Sequence, residues 1–116
     1  MSRGADLLAY VSVRRWISSV DGLYHLTHQE WHLRLSILDE FCSSLGEDPD
    51  HVISASRLDR EAKVEYMRRL KHLTGERYPE PRTAHEAQNV VRSFFIHNGA
   101  RVLTTPFPPP QGAGGG

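Results

Sequence analysis

The chain is poor in several things, and each shortage removes a class of function. Cys42 is the only cysteine in 116 residues, so no disulfide can form within the chain. Its neighbours Phe41 and Leu45 mark it as a buried structural thiol, which fits a reducing compartment. No apolar run approaches the roughly 20 residues needed to span a bilayer, and the N-terminus lacks the apolar stretch of a signal peptide. The expectation is a cytoplasmic protein with no membrane partner. There is no excess of either charge: 14 Lys and Arg balance 14 Asp and Glu. That balance counts against a strongly electrostatic nucleic-acid binder. No glycine-rich phosphate loop is present, since Gly114-Gly115-Gly116 is only tail. No nucleophile stands beside a base, and Tyr10, Tyr24, Tyr66 and Tyr78 have no catalytic context. No enzyme activity, cofactor or metal is expected.

What is present reads as one all-α domain, residues 1–103, followed by a Pro/Gly-rich tail, residues 104–116, which is expected to be mobile. With 39% apolar residues the chain can bury one modest core. Periodicity predicts four helices and no strand. The first runs from about Ala5 to Val20, with Leu7, Leu8, Val11, Trp16, Ile17 and Val20 inward and Asp21-Gly22 as its end. The second starts at Thr27, where Glu30 three residues on makes a capping box. It carries a stripe of Trp31, Leu35, Leu38, Phe41, Cys42 and Leu45, and stops at Gly46. The connector Glu47 to Ile53 has room for one short turn starting at Pro49. The third helix spans about Asp59 to Leu73 and is broken by Thr74-Gly75.

The fourth helix has a start, two faces and a stop. Pro81 precedes it, Thr83 with Glu86 forms a second capping box, and Asn98-Gly99 supplies a left-handed end. Ala84, Ala87, Val90, Val91, Phe94 and Phe95 make one apolar face; His85, Gln88, Asn89 and Arg92 lie on the other. Those polar side chains can read base edges and hold phosphates, and Arg82 and Thr83 flank a helix N-terminus suited to an anion. Charge is also unevenly spread. Acids dominate from Thr27 to Leu58, and bases lead from Asp59 onward. Arg68, Arg69, Lys71 and His72 cluster near the end of the third helix, where cations also suit the helix dipole. His28 and His32 have a metal-compatible spacing but no third ligand beside them, and read as solvated surface histidines; Arg34 is a further cation on that helix.

In order along the chain, these motifs resemble the N-terminal core-binding domain of tyrosine recombinases, the SAM-like domain of phage integrases. The resemblance rests on Thr27, Trp31, Leu35, Leu38, Phe41 and Leu45-Gly46 in the second helix, then the acidic turn Asp48-Pro49-Asp50 before Val52-Ile53. Tyr66, Leu70 and Lys71 follow in the third helix, and Arg92-Ser93-Phe94-Phe95 before Asn98-Gly99 closes the set. It covers roughly residues 16–102. Trp31 stands where that family more often has Tyr, and the loop from Gly75 to Pro81 is longer and more charged than is common there. The resemblance implies a small four-helix SAM-like orthogonal bundle that clamps double-stranded DNA for site-specific recombination. The catalytic Arg/His/Arg/Tyr domain would be a separate partner, alongside other recombinase protomers, and the DNA-bound form would be nucleoid-associated. It points to Arg82, Thr83, His85, Gln88, Asn89 and Arg92 as the DNA face, with Arg68, Lys71, His28, His32 and Arg34 as further contacts. The rival expectation, favoured by zero net charge and by the acidic run Asp39, Glu40, Glu47, Asp48 and Asp50, is a helical protein-interaction module that touches no DNA. Convergence of the polar and basic residues on one open face distinguishes the two.

Overall fold

The computed structural model describes residues 7–102. The chain is all-helical, a small α bundle with no strand among the described residues. Among the described residues there are five helices rather than four: α1 Val11–Tyr24, α2 His28–Leu45, α3 Pro49–Leu58, α4 Arg60–Arg77 and α5 Pro81–Ile96. Helix α5 is central and packs on α4, α2 and α1, while α3 bridges α1 and α4. The reason is its apolar face. Ala84, Ala87, Val91, Phe94 and Phe95 are all buried, so one side of α5 is covered along its length. Trp16 of α1 is fully buried beside Phe94 and Trp31, with ring centroids at 5.6 and 5.3 Å and near-perpendicular planes. Its indole N–H donates to Ser93 Oγ at 3.1 Å, so the one polar atom of the ring is satisfied inside the core. Phe95 extends the cluster to Phe41 of α2 and Tyr66 of α4.

The expected start and stop of α2 are both formed. Thr27 Oγ1 accepts from the Glu30 amide at 3.1 Å and Glu30 Oε1 accepts from the Thr27 amide at 3.0 Å. Gly46 ends the helix at φ 70°, a conformation a Cβ disfavours. The Asn98-Gly99 stop is also formed. Gly99 has φ 80°, and the Gly99 and Ala100 amides close on the Ile96 and Phe95 carbonyls. Asn98 is buried and donates to the carbonyls of Ser12 and Phe94, tying the end of α5 to the start of α1.

Four boundaries differ from the sequence expectation. The connector after Gly46 contains a ten-residue helix rather than one turn. Asp48 caps it by accepting from the His51 amide at 2.8 Å, Pro49 fits its first turn, and Val52 and Ile53 enter the core. Asp21-Gly22 does not end α1, which runs on to Tyr24 and stops at His25 with φ 50°. Asp21 instead accepts from the Trp31 indole at 3.3 Å. Thr74-Gly75 does not break α4, because Thr74 is buried with its hydroxyl donating to the Leu70 carbonyl, and the helix continues to Arg77. The expected Thr83–Glu86 capping box is absent: α5 begins at Pro81 with Glu80 as its N-cap and no side-chain cap, so Thr83 already lies inside the first turn. Val13 of α1 is core, while Val11 and, ahead of the helix, Leu8 are exposed. The first residues of the expected first helix, and the tail expected over 104–116, lie outside the described residues.

Candidate nucleic-acid interface

The acids of this chain are largely committed to local structure. Glu30, Asp48 and Asp59 cap helix starts. Asp50 accepts from the Ser12 amide at 2.9 Å, and Tyr66 donates to Glu47 at 2.7 Å. Glu40, Glu65 and Glu76 pair with Arg77, Arg68 and His72. Most of the acidic run is thus engaged in caps and pairs, although Asp39, Glu47 and Asp48 lie together near Cys42. Burial pushes the Asp50 carboxyl up, but hydrogen bonds from Ser12 and Val11 outweigh it and hold it below its ordinary value.

The polar face of α5 does not stay open as one surface. His85 is buried at 9% exposure, and Gln88 donates its amide N–H to Thr74 Oγ1 at 2.9 Å across the α4–α5 contact. His85 is therefore not placed to meet a DNA groove, which corrects the expectation for that residue, while Gln88 is half-buried with one amide hydrogen engaged. A helix with a covered face and two flanking neighbours has only a narrow solvent arc, and both residues fall on its α4 side. Arg82 is exposed and pairs with Glu86 at 3.6 Å. Thr83, Asn89 and Arg34 come together in a cleft of about 430 Å³ between α2 and α5, with Leu33, Ile37 and Val90 as its apolar wall. Glu30 and Glu86 also line that cleft, so it is not a cationic surface. His28 and His32 are exposed on the first turns of α2. Among the described residues no three metal-ligating side chains come together.

A second cleft, on the other flank of α5, is cationic. Arg60 and Lys63 of α4, Arg92 of α5 and Arg101 beyond it line a volume of about 360 Å³, with Val64, Met67 and Val102 between them. No carboxylate among the described residues lines it. None of the four cations is in an ion pair among the described residues, where the pairs involve other side chains. Arg92 is half-buried, and its Nη1 is fully covered with no hydrogen-bond partner. Burial pushes its guanidinium below the ordinary arginine value, the direction expected of a desolvated cation without a counter-charge. Lys71 is exposed four residues beyond Met67, so helical spacing continues the row of Arg60, Lys63 and Met67 along one flank of α4. Glu61, Glu65 and Arg68 fall on a different flank, where Glu65 holds Arg68 through two hydrogen bonds at 2.6 and 2.9 Å. Arg68 is thus compensated, and Lys71 is not.

Of the expected contacts, then, Arg92 and Lys71 lie on the basic flank; Thr83, Asn89 and Arg34 lie on a mixed one. Arg60, Lys63 and Arg101 were not singled out from the sequence. Their signal was the lead of bases after Asp59, which gives sign but not position. Arg60 and Lys63 are about forty residues from Arg101 in sequence, and only the packing of α5 on α4 brings them together. No family model, curated protein or solved structure matches this chain.

Proposed function

We propose that the chain binds double-stranded DNA through its phosphate backbone, using the α4–α5 flank. The observation that carries this reading is the cluster of four uncompensated cations around one cleft in a chain of zero net charge. Cations left without partners on one face attract a polyanion, and release of its condensed counterions drives binding. With His85 buried and Gln88 half-buried and bonded to Thr74, base readout by α5 is reduced, so binding should be weakly sequence-dependent. The resemblance to recombinase core-binding domains supplies the biological role: holding one side of a recombination site while a catalytic domain acts as partner. The chain's own part is positioning rather than chemistry.

Fluorescence anisotropy with a random-sequence duplex at several salt concentrations tests this. Four phosphate contacts predict a slope of log K against log salt between about −3 and −4, with a dissociation constant of about 1–100 μM at moderate salt. Changing Lys63 and Arg101 together to Ala should make the slope shallower by about 2. Absence of binding at low salt by folded protein would overturn the proposal. A second reading, a helical module that binds a protein, is favoured by the mixed α2–α5 cleft and by exposed Leu33 on its rim. In that case the same titration shows no binding, and Leu33→Asp leaves stability unchanged while abolishing partner association.

A further inference from the structure

We propose that the wall of the basic cleft at Arg92 is a discrete seat for one phosphate group. The inference builds on the DNA reading of this cleft but assigns a bound species and a residue hierarchy that backbone attraction alone does not require. Exposed cations attract phosphates without a fixed place. Arg92 differs from them because its guanidinium is half-buried and one of its nitrogens is fully covered with no partner. A partly desolvated cation without a counter-charge is costly, and an anion held at its cleft-facing side offsets that cost. The cleft suits a tetrahedral oxyanion better than a planar one. A carboxylate is matched by a single arginine fork, whereas here cations arrive from α4, from α5 and from the segment after α5. Of the acids adjacent in sequence, Asp59 turns its carboxylate onto the Glu61 amide at 2.9 Å, Glu65 is held by Arg68, and neither they nor Glu61 line the cleft. Val64 and Met67 add apolar surface beside the cations, so the substituent of a phosphate ester also has something to lie on.

The source of the phosphate is either the DNA chain or a small phosphate monoester. Thermal unfolding of the whole chain in inorganic phosphate against chloride at matched ionic strength, repeated with a nucleoside monophosphate, tests the seat. Phosphate at ten times its dissociation constant should raise the midpoint of the native protein by about 5–10 °C. In Arg92→Met the phosphate-specific rise should vanish, and in Arg92→Lys only part should remain. If Arg92→Met fails to fold, the pair Lys63→Gln and Arg101→Gln, both away from the core, must weaken phosphate binding several-fold. Equal midpoints in phosphate and chloride, or an undiminished rise in Arg92→Met, would overturn the seat. Competition separates it from the DNA reading. Phosphate that stabilises the protein while no duplex binds keeps the seat and removes the DNA proposal. Duplex binding with no phosphate-specific rise does the reverse.

Discussion

Replacing Arg92 with Met should stabilise the isolated protein while weakening its DNA binding. The aliphatic stem of Met keeps most of the packing that the arginine stem provides. What is lost is a half-buried charge whose Nη1 has no partner. Exchanging fully buried ionic groups for apolar ones gains about 1–4 kcal/mol. Solvent screening at a half-buried site puts the expectation near the lower end, about 1 kcal/mol. That gain corresponds to a rise of about 4–8 °C in the unfolding midpoint of a domain this size, or about 0.5–1 M in the urea midpoint. Trp16, fully buried beside Phe94, gives a fluorescence signal for the titration. Arg92→Lys keeps the charge and should be no more stable than the native chain. The measurement belongs in a buffer free of phosphate and sulfate, since an occupied seat would remove the difference. A loss of 1 kcal/mol or more in Arg92→Met would refute the reasoning, because Arg92 would then be a structural residue whose charge the fold requires.

Other expectations follow from single features. Asp50→Asn should cost about 1 kcal/mol at pH 7 by weakening the bonds from Ser12 and Val11. A carboxyl held below its unfolded value contributes stability that is full above pH ~4 and is lost as pH falls through its folded value, so the gap to the native chain should close in acid; a pH-independent gap in urea melts counts against this account. Gly46→Ala should destabilise by about 1–2 kcal/mol because φ is 70° there and nothing crowds the new Cβ. Gly75→Ala, inside α4 with equally open space, should instead stabilise by about 0.5–1 kcal/mol, and a loss there would show that α4 ends where the Thr74-Gly75 pair first suggests. Cys42, buried and with its thiol pushed up to about 12 by burial and nearby acids, should react with a thiol reagent only at the rate of global unfolding; fast labelling of folded protein refutes its core placement.

The parts of the fold that could be read from the sequence are those where two local signals agree. Thr27 with Glu30 and Gly46 fixed α2 at both ends, and Asn98-Gly99 fixed the end of α5. Where a single signal stood alone, tertiary structure overrode it. Gly75 sits in a helix because Thr74 is buried against α5 through Gln88, which holds the turn closed. Helix α3 was hidden because its ten residues show too few periods for an apolar pattern to emerge, although Asp48-Pro49 was a correct start signal. The site was less legible than the fold. Helical periodicity separates an apolar face from a polar one, but it does not say which polar residues a neighbouring helix will cover. His85 is buried and Gln88 is half-buried with its amide bonded to Thr74 of α4, whereas Arg92 lines a cleft beside Lys63 and Arg60.

The balance of charges, which at first argues against a nucleic-acid partner, loses its force once the acids are placed. A capping carboxylate must stand at the start of a helix, within reach of two or three amides, and a chain with several short helices has several such posts to fill. Glu30, Asp48 and Asp59 occupy them here, and Asp50, Glu40, Glu65 and Glu76 are held by amides or by cations elsewhere. Cations meet no comparable demand, so those left over are free to gather on one flank. Arg60, Lys63, Arg92 and Arg101 do so, and a salt dependence set by local placement should therefore report about four charges in a molecule whose sum is zero. A slope near zero, with binding still detectable, would mean that the whole-chain sum governs after all and that the cleft's cations take no part in holding the ligand.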